Sequence, residues 1–233
     1  LSLTSFWMVS RDPSEWVDVM RLYETQELAC APKGLNSRVD QPLLRKYSLG
    51  IHPWHLPPLD DDANLSQSMI ELEAHLKGSP SIHLGECGLD LIRGPDLDIQ
   101  IKYLEAQLKL AQKYQRKVAV HLVQAYEPLR ISLARYPDVR GLIHGYSGSI
   151  EWMKQIESQG WYFSFGPEIM DPRRKKSKAA FVASQSFLIE SDTHQMSERA
   201  WQLFTLEAAQ LKGMDQRSFL DISNTRFEEL FKE

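Results

Sequence analysis

Cysteine is nearly absent: the 233 residues include only Cys30 and Cys87. Two thiols cannot build the framework of a small disulfide-stapled domain, so a reducing cytoplasm is the expected home. Long apolar runs are also missing. None reaches the ~18 residues of a membrane-spanning helix, and no membrane association is expected. The opening stretch "LSLTSFWMVSRDPSEW" lacks a basic leader before its apolar part, so no secretory signal is expected there. The net charge of −4 excludes a broadly basic coat for nucleic acid. A local phosphate site is compatible with it, because bound cations would reset the local field. There is no internal repeat, low-complexity tract or Gly/Ser linker. With 42% hydrophobic residues, one domain over residues 1–233 is the simplest organisation.

What the chain does contain is an alternation. Short apolar runs stand at 2–9, 47–52, 81–86, 117–121, 140–144, 161–166 and 186–192. Longer amphipathic stretches lie between them, at about 13–25, 66–77, 98–115, 126–135, 150–159 and 176–184. Two more follow at 198–212 and 215–231. In the third, Ile101, Leu104, Leu108, Ala111 and Tyr114 recur at helical spacing. Short strands alternating with helices imply βαβ units and a parallel sheet. The count is seven strands, one short of the eight of a closed TIM barrel. A strand and helix of about 20–30 residues ahead of Leu1 would supply the eighth, and such a segment is expected.

The ends of the short runs carry the chemistry. "SLGIH" ends on His52, "IHLGE" on Glu86, "KVAVH" on His121, "GLIH" on His144, and "SFLIESD" on Glu190 and Asp192. A lone histidine after a strand is more often a hydrogen-bonded structural residue. Several such ends on one face of a parallel barrel are another matter, because active sites gather there. An ionised Glu86 buried alone would be very costly, and convergence with cations relieves it. Imidazole and carboxylate together are the ligand set of hydrolytic Zn and Mn sites. Gly85 and Gly88, flanking Glu86, are read as leaving room for metal, water and substrate.

Seven motifs in order, "GIHPW" (50–54), "GECGLD" (85–90), "QIKYLEAQLKLAQKYQRKVAVH" (100–121), "HGYSGS" (144–149), "YFSFG" (162–166), "ESD" (190–192) and "NTRFEELF" (224–231), cover nearly the whole chain. In these the sequence resembles the TatD family of metal-dependent hydrolases and deoxyribonucleases. The resemblance implies a TIM (β/α)8 barrel of the metallo-dependent hydrolase type whose first strand is missing from this N-terminus. It implies hydrolysis of DNA phosphodiesters by water activated by divalent metal ions, two of them, drawn from Mg, Mn and Zn. Carried over by motif, Glu86, His121, His144 and Asp192 are metal ligands. Asp192, Glu86 and Glu190 are the catalytic set, and His52 lies near the substrate phosphate. A monomer acting on DNA is expected. Hydrolysis of another ester or amide bond, or a binding barrel without activity, are the alternatives.

The departures are specific. The family's "ETDAP" is "ESDTH" here, with Thr193 and His194, and "HCF" is "HGY". An arginine common after the fifth strand is Val123, and an N-terminal H-x-H pair is not in this sequence. Among the remaining candidates, Gly145, Ser147 and Gly148 form a turn whose N–H groups are available to an anion, which makes Ser147 a substrate contact. In "DPRRKKSK" (171–178), Arg173, Arg174 and Lys175 are candidate contacts to a phosphate backbone, against the plainer reading of a solvated charge run. Cys87 is expected to point away from Glu86 as a buried thiol. Asp90 shares parity with Glu86 and serves either the site or a loop. His83 has the opposite parity, which predicts that it faces the helices. His194 shares parity with Asp192 and is a further candidate.

Overall fold

Each strand is followed by a helix, and each strand pairs in parallel with the next. The structure, a computed structural model, describes residues 5–29, 44–57, 62–192 and 196–232. Seven strands form one sheet in chain order: β1 (Ser5–Val9), β2 (Leu44–Leu49), β3 (Ile82–Asp90), β4 (Val118–Val123), β5 (Gly141–His144), β6 (Tyr162–Phe165) and β7 (Phe187–Ile189). The helices are α1 (Trp16–Ala29), α2 (Asp62–Gly78), α3 (Leu97–Tyr114), α4 (Tyr126–Arg135), α5 (Ile150–Glu157), α6 (Lys175–Ala183), α7 (Glu198–Leu211) and α8 (Gln216–Leu230). The seven strands and eight helices expected from periodicity are present among the described residues. None of the helices is long and apolar enough to cross a membrane.

Local chemistry explains the boundaries. Ile99, Tyr103, Leu104, Leu108 and Ala111 bury one face of α3. The helix stops where Gln115 adopts φ 53° and its N–H turns back toward the Ala111 carbonyl. Ser149, Ser197 and Asp215 cap α5, α7 and α8, each side-chain oxygen accepting from the N–H three residues on. Phe187 of β7 stacks on Phe219 of α8 at 5.3 Å, one of many aromatic contacts sealing helices to the sheet.

The register assigns the two faces of the sheet. Leu84 pairs with Val118 and Cys87 with Val120, and these side chains join the apolar layer beneath the helices. The other face carries Trp7 and Lys46, then Ser48 and His83, then His121 and His144 in register, then Ser164 and Leu188. At the N-terminal end of this face, Leu142 and Leu188 pack with Phe227 and Leu230 of α8. Polar side chains gather at the C-terminal end.

Three expectations change. β2 ends at Leu49, so His52 stands three residues beyond the strand, and β3 runs on past Glu86 to Asp90. β7 ends at Ile189, so Glu190 and Asp192 follow it rather than close it. The largest change is in β3. Two residues of β3, Gly85 and Glu86, lie between Leu84 and Cys87, while one of β4, Ala119, lies between their partners Val118 and Val120. This extra residue inverts the alternation. His83 therefore lies on the same face as Glu86, not toward the helices.

His83 is buried at the closed end of that face, 4.6 Å from the Phe231 ring and 6.1 Å from Trp7. Its Nδ1 accepts from the Lys117 N–H at 3.4 Å, and its Nε2 is buried without a hydrogen-bond partner. Burial, then the charges of Lys46, Arg116 and Lys117, draw its pKa down to about 3. Its ordinary value is near 6.5, so between pH 6.5 and 3 the unfolded chain binds a proton that the folded chain refuses. Stability from this residue is whole above pH 6.5 and is lost as pH falls toward 3. His83→Leu should shrink the drop in unfolding free energy between pH 7 and pH 4.5 by roughly 2 kcal/mol. Urea unfolding of both proteins at the two pH values measures it, and an equal drop would refute it.

Candidate metal centre

β3 delivers Glu86 to the centre of the polar end. Its carboxylate is only 5% exposed. One oxygen, Oε1, lies 3.2 Å from His121 Nδ1, 3.5 Å from His52 Nε2 and 4.0 Å from His144 Nε2. Burial would raise the pKa of this carboxyl, but the His121 and His52 rings and the charge of His144 outweigh burial and hold it well below the usual carboxylate range. The donor atoms of His52, Glu86 and His121 all lie within 4.8 Å of one another, the one such group among the described residues.

Each histidine arrives by a different route. His121 and His144 are register partners on β4 and β5. His52 is fixed by the turn Pro53–His55: its Nδ1 accepts from the Trp54 N–H at 3.2 Å, which turns Nε2 toward Glu86. Burial pulls the His52 pKa down, against the pull of Glu86.

His144 is the electrostatic opposite. Its Nδ1 lies 2.7 Å from Glu190 Oε2, and its Nε2 lies 3.5 Å from Asp192 Oδ1. Burial opposes a charge there, yet the Glu190 carboxylate, then Glu86 and Asp192, raise its pKa to about 10. Glu190 also accepts from the Ser164 hydroxyl. Its carboxylate is therefore committed to holding His144. Asp192 is exposed, with its backbone in the left-handed region at φ 48°. Thr193 and His194 lie outside the described residues.

The glycines around Glu86 serve the backbone. A Cβ on Gly85, at φ 119°, would sit 2.4 Å from the Ala119 carbonyl oxygen, and one on Gly88 would sit 2.0 Å from that of His121. The space beside these glycines is filled by β4, which corrects the expectation that they leave room for ligands. Cys87 points to the opposite face, fully buried, and burial pushes its thiol pKa up.

Four further residues belong to this end of the sheet. Trp54 and Asp90 are joined by a 2.7 Å hydrogen bond from the indole N–H, and Asp90 Oδ2 is 3.1 Å from His121 Nε2. Ser164 holds Glu190. Glu168 accepts from the Gly166 N–H at 3.0 Å, and burial followed by the nearby Glu190 charge raises its pKa. Trp54 and Ser164 sit inside "GIHPW" and "YFSFG", and strand parity marks Ser164 as inward. Nothing in the sequence marks Glu168.

Of the phosphate-contact candidates, His52 alone belongs to this donor group among the described residues. Ser147 shares a hydrogen bond with Tyr126. Arg173 is bound by Asp171, Nη2 to Oδ2 at 2.6 Å, so its charge is already answered. Arg174 and Lys175 are exposed at the start of α6, on the connection that leaves the C-terminal end of β6.

A divalent cation suits these residues. Three imidazoles turn nitrogens to one buried carboxylate oxygen, and Glu86, Glu190 and Asp192 together already hold a proton on His144. The same field would hold a metal ion.

Comparison with known proteins shows the family. A family model described as "TatD related DNase" matches residues 40–232. The uncharacterized metal-dependent hydrolase YjjV of Escherichia coli is 32% identical over 161 residues, which are 66% of this chain and 60% of that one. The 3'-5' ssDNA/RNA exonuclease TatD of Edwardsiella piscicida is 28% identical over 61% of this chain and 55% of its own. The chain thus spans less than two thirds of the length of these relatives. The crystal structure of YjjV superposes with a TM-score of 0.76 at 22% identity, over 98% of this chain and 86% of that one. The seven-stranded parallel sheet with its helices is thus the metallo-hydrolase TIM-barrel arrangement expected from the motifs.

Gly85→Ala should displace β3 from β4 and lower stability by on the order of 2 kcal/mol. Zinc affinity should fall with it, because Glu86 is the next residue. Urea unfolding and zinc titration check the two effects, and an unchanged pair would show that β3 tolerates a Cβ there.

Proposed function

Since the chain belongs to the TatD-related DNase family, we propose that it hydrolyses phosphodiester bonds of DNA with divalent metal ions. The observation that carries this reading is the buried Glu86 oxygen facing three imidazole nitrogens. The Edwardsiella relative is named as an exonuclease on single-stranded DNA and RNA, which supports a nucleic-acid substrate.

On this reading Glu86, His121 and His144 hold metal, with Asp192 completing the set. A bound divalent ion supplies Lewis acidity toward a phosphate oxygen and makes water more acidic. Asp192 is the carboxylate most open to solvent in the group, which suits it to orient the attacking water and take its proton. Glu190 fixes His144 through Nδ1, leaving Nε2 toward Glu86 and Asp192. His52 belongs to the tight donor group as well, so it serves as a ligand or as a donor to phosphate. Zinc, manganese and magnesium all suit this mixed set, and two ions are the proposed complement.

The test is a panel of single-stranded DNA, duplex DNA, RNA and simple esters, each assayed with Mg, Mn and Zn. DNA hydrolysis should vanish in excess EDTA and return with metal. His144→Ala should lower it by at least ~100-fold. Because ligand histidines must give up protons, metal affinity should weaken as pH falls. Full activity in EDTA refutes the reading. Turnover of esters without turnover of DNA favours the alternative substrate class, which the missing arginine at Val123 suits.

The basic run gives a separate expectation. Replacing Arg173, Arg174, Lys175 and Lys176 with Ala should weaken binding to uncleavable single-stranded DNA and flatten its salt dependence. The log–log slope should become shallower by about 0.7 for each phosphate that these side chains neutralise. Arg173 is tied to Asp171, so the change should come from the other three. An unchanged slope would make the run a solvated surface.

A further inference from the structure

Asp90 is 2% exposed, and its side chain is wholly committed. Oδ1 accepts from the backbone N–H of Ile92 at 2.7 Å and of Arg93 at 3.0 Å. Oδ2 accepts from Trp54 Nε1 at 2.7 Å and lies 3.1 Å from His121 Nε2. The backbone of Asp90 is clamped too. Its N–H donates to Gln100 Oε1 at 2.7 Å, and Gln100 Nε2 donates to its carbonyl at 2.9 Å. Trp54 and the two backbone groups are donors only, so the carboxylate meets them as an ionised acceptor.

That acceptor decides the state of His121. A hydrogen bond between Oδ2 and His121 needs the ring proton on Nε2. Nδ1 lies 3.2 Å from Glu86 Oε1; when a cation stands beside Glu86, the one proton of the neutral ring stays on Nε2 and Nδ1 offers the cation its lone pair. We propose that Asp90 is the positioning residue that fixes His121 in its Nε2–H tautomer, so that Nδ1 faces the metal position beside Glu86. This rests on the metal-centre reading above. It also explains why β3 runs four residues past Glu86, as a pillar behind the ligand of the neighbouring strand. Carboxylates placed behind ligand histidines act in this way in metal sites generally.

Asp90→Asn tests it with little change of shape. The amide oxygen can still accept from Ile92 and Arg93, which turns the amide nitrogen toward His121. That nitrogen donates to Nε2, and the ring proton is forced onto Nδ1, toward the metal position. Zinc affinity, measured by competition with a chromophoric chelator and without nucleic acid, should fall 10- to 100-fold. Nitrogen NMR of the zinc-loaded wild type should show His121 with its proton on Nε2 and Nδ1 bound to the metal. Trp54→Phe removes the other donor to Oδ2 and should leave zinc affinity within about threefold. A wild-type Nδ1–H tautomer, an unchanged zinc affinity in Asp90→Asn, or an equal loss in Trp54→Phe would each overturn the proposal. If Asp90→Asn loses its thermal transition, the wild-type tautomer still decides. If the wild type binds no zinc, the metal reading itself fails, whereas zinc bound to a ring that carries its proton on Nδ1 overturns this proposal alone.

Discussion

A buried carboxylate cannot stay ionised without company. Glu86 sits at the C-terminal end of a parallel sheet, almost closed to solvent, and everything near it answers that constraint. In the metal-free protein three imidazoles crowd one of its oxygens. His144 is kept charged by Glu190, while His52 is drawn toward neutrality by burial. Environments that push neighbouring groups apart in this way are characteristic of sites that bind ions or move protons. An apolar isostere at Glu86 would take away the carboxylate oxygen that His52, His121 and His144 all face.

The sheet reaches this arrangement through one irregularity. An ideal alternation along β3 would put His83 and Glu86 on opposite faces. The extra residue between Leu84 and Cys87 places both on the inner face, His83 at the closed end and Glu86 at the open end. Gly85 and Gly88 make the irregular strand able to lie against β4 at all. The sequence "IHLGECGLD" therefore carries two functions in one stretch: apolar side chains for the helix layer, and a backbone shaped to aim a carboxylate.

Much of this was legible beforehand. Alternating apolar and amphipathic runs fixed the number and order of strands and helices, because hydrophobic periodicity is a local property. Residues ending the apolar runs pointed to Glu86, His121 and His144, since parallel strands bring their ends together. The bulge was not legible: its signal, two glycines about a charged residue, also fits an open ligand pocket, and only the backbone of β4 rules that out. The role of Asp90 was half legible, as parity placed it near the site but gave no partner. Ser164 and Glu168 depend on which strand lies beside β7 and where the following turn folds back, and these are tertiary facts. Arg173 could be read as a free cation until its pairing with Asp171 was visible.

The charge balance of the centre bears on how an anionic substrate enters it. Glu86, Glu190 and Asp192 are the carboxylates that raise the His144 pKa, and Asp90 adds another behind His121. Against them stand imidazoles, and burial lowers the pKa of one of them, His52. Such a cluster repels a phosphodiester at short range, where the local dielectric is low and Coulomb forces are strong. On the proposed reading, cations must therefore occupy the centre before the phosphate arrives. Val123 strengthens the point. It is apolar and lies in register with Asp90, so this position gives the phosphate no positive charge. The exposed Arg174, Lys175 and Lys176 at the start of α6 can attract the rest of the nucleic-acid chain, while at the centre the proposed metal and the histidines meet the scissile group. Proteins that work by this division separate affinity from chemistry: surface cations gather the polymer in a salt-dependent way, and the centre admits one phosphate by virtue of the metal it holds.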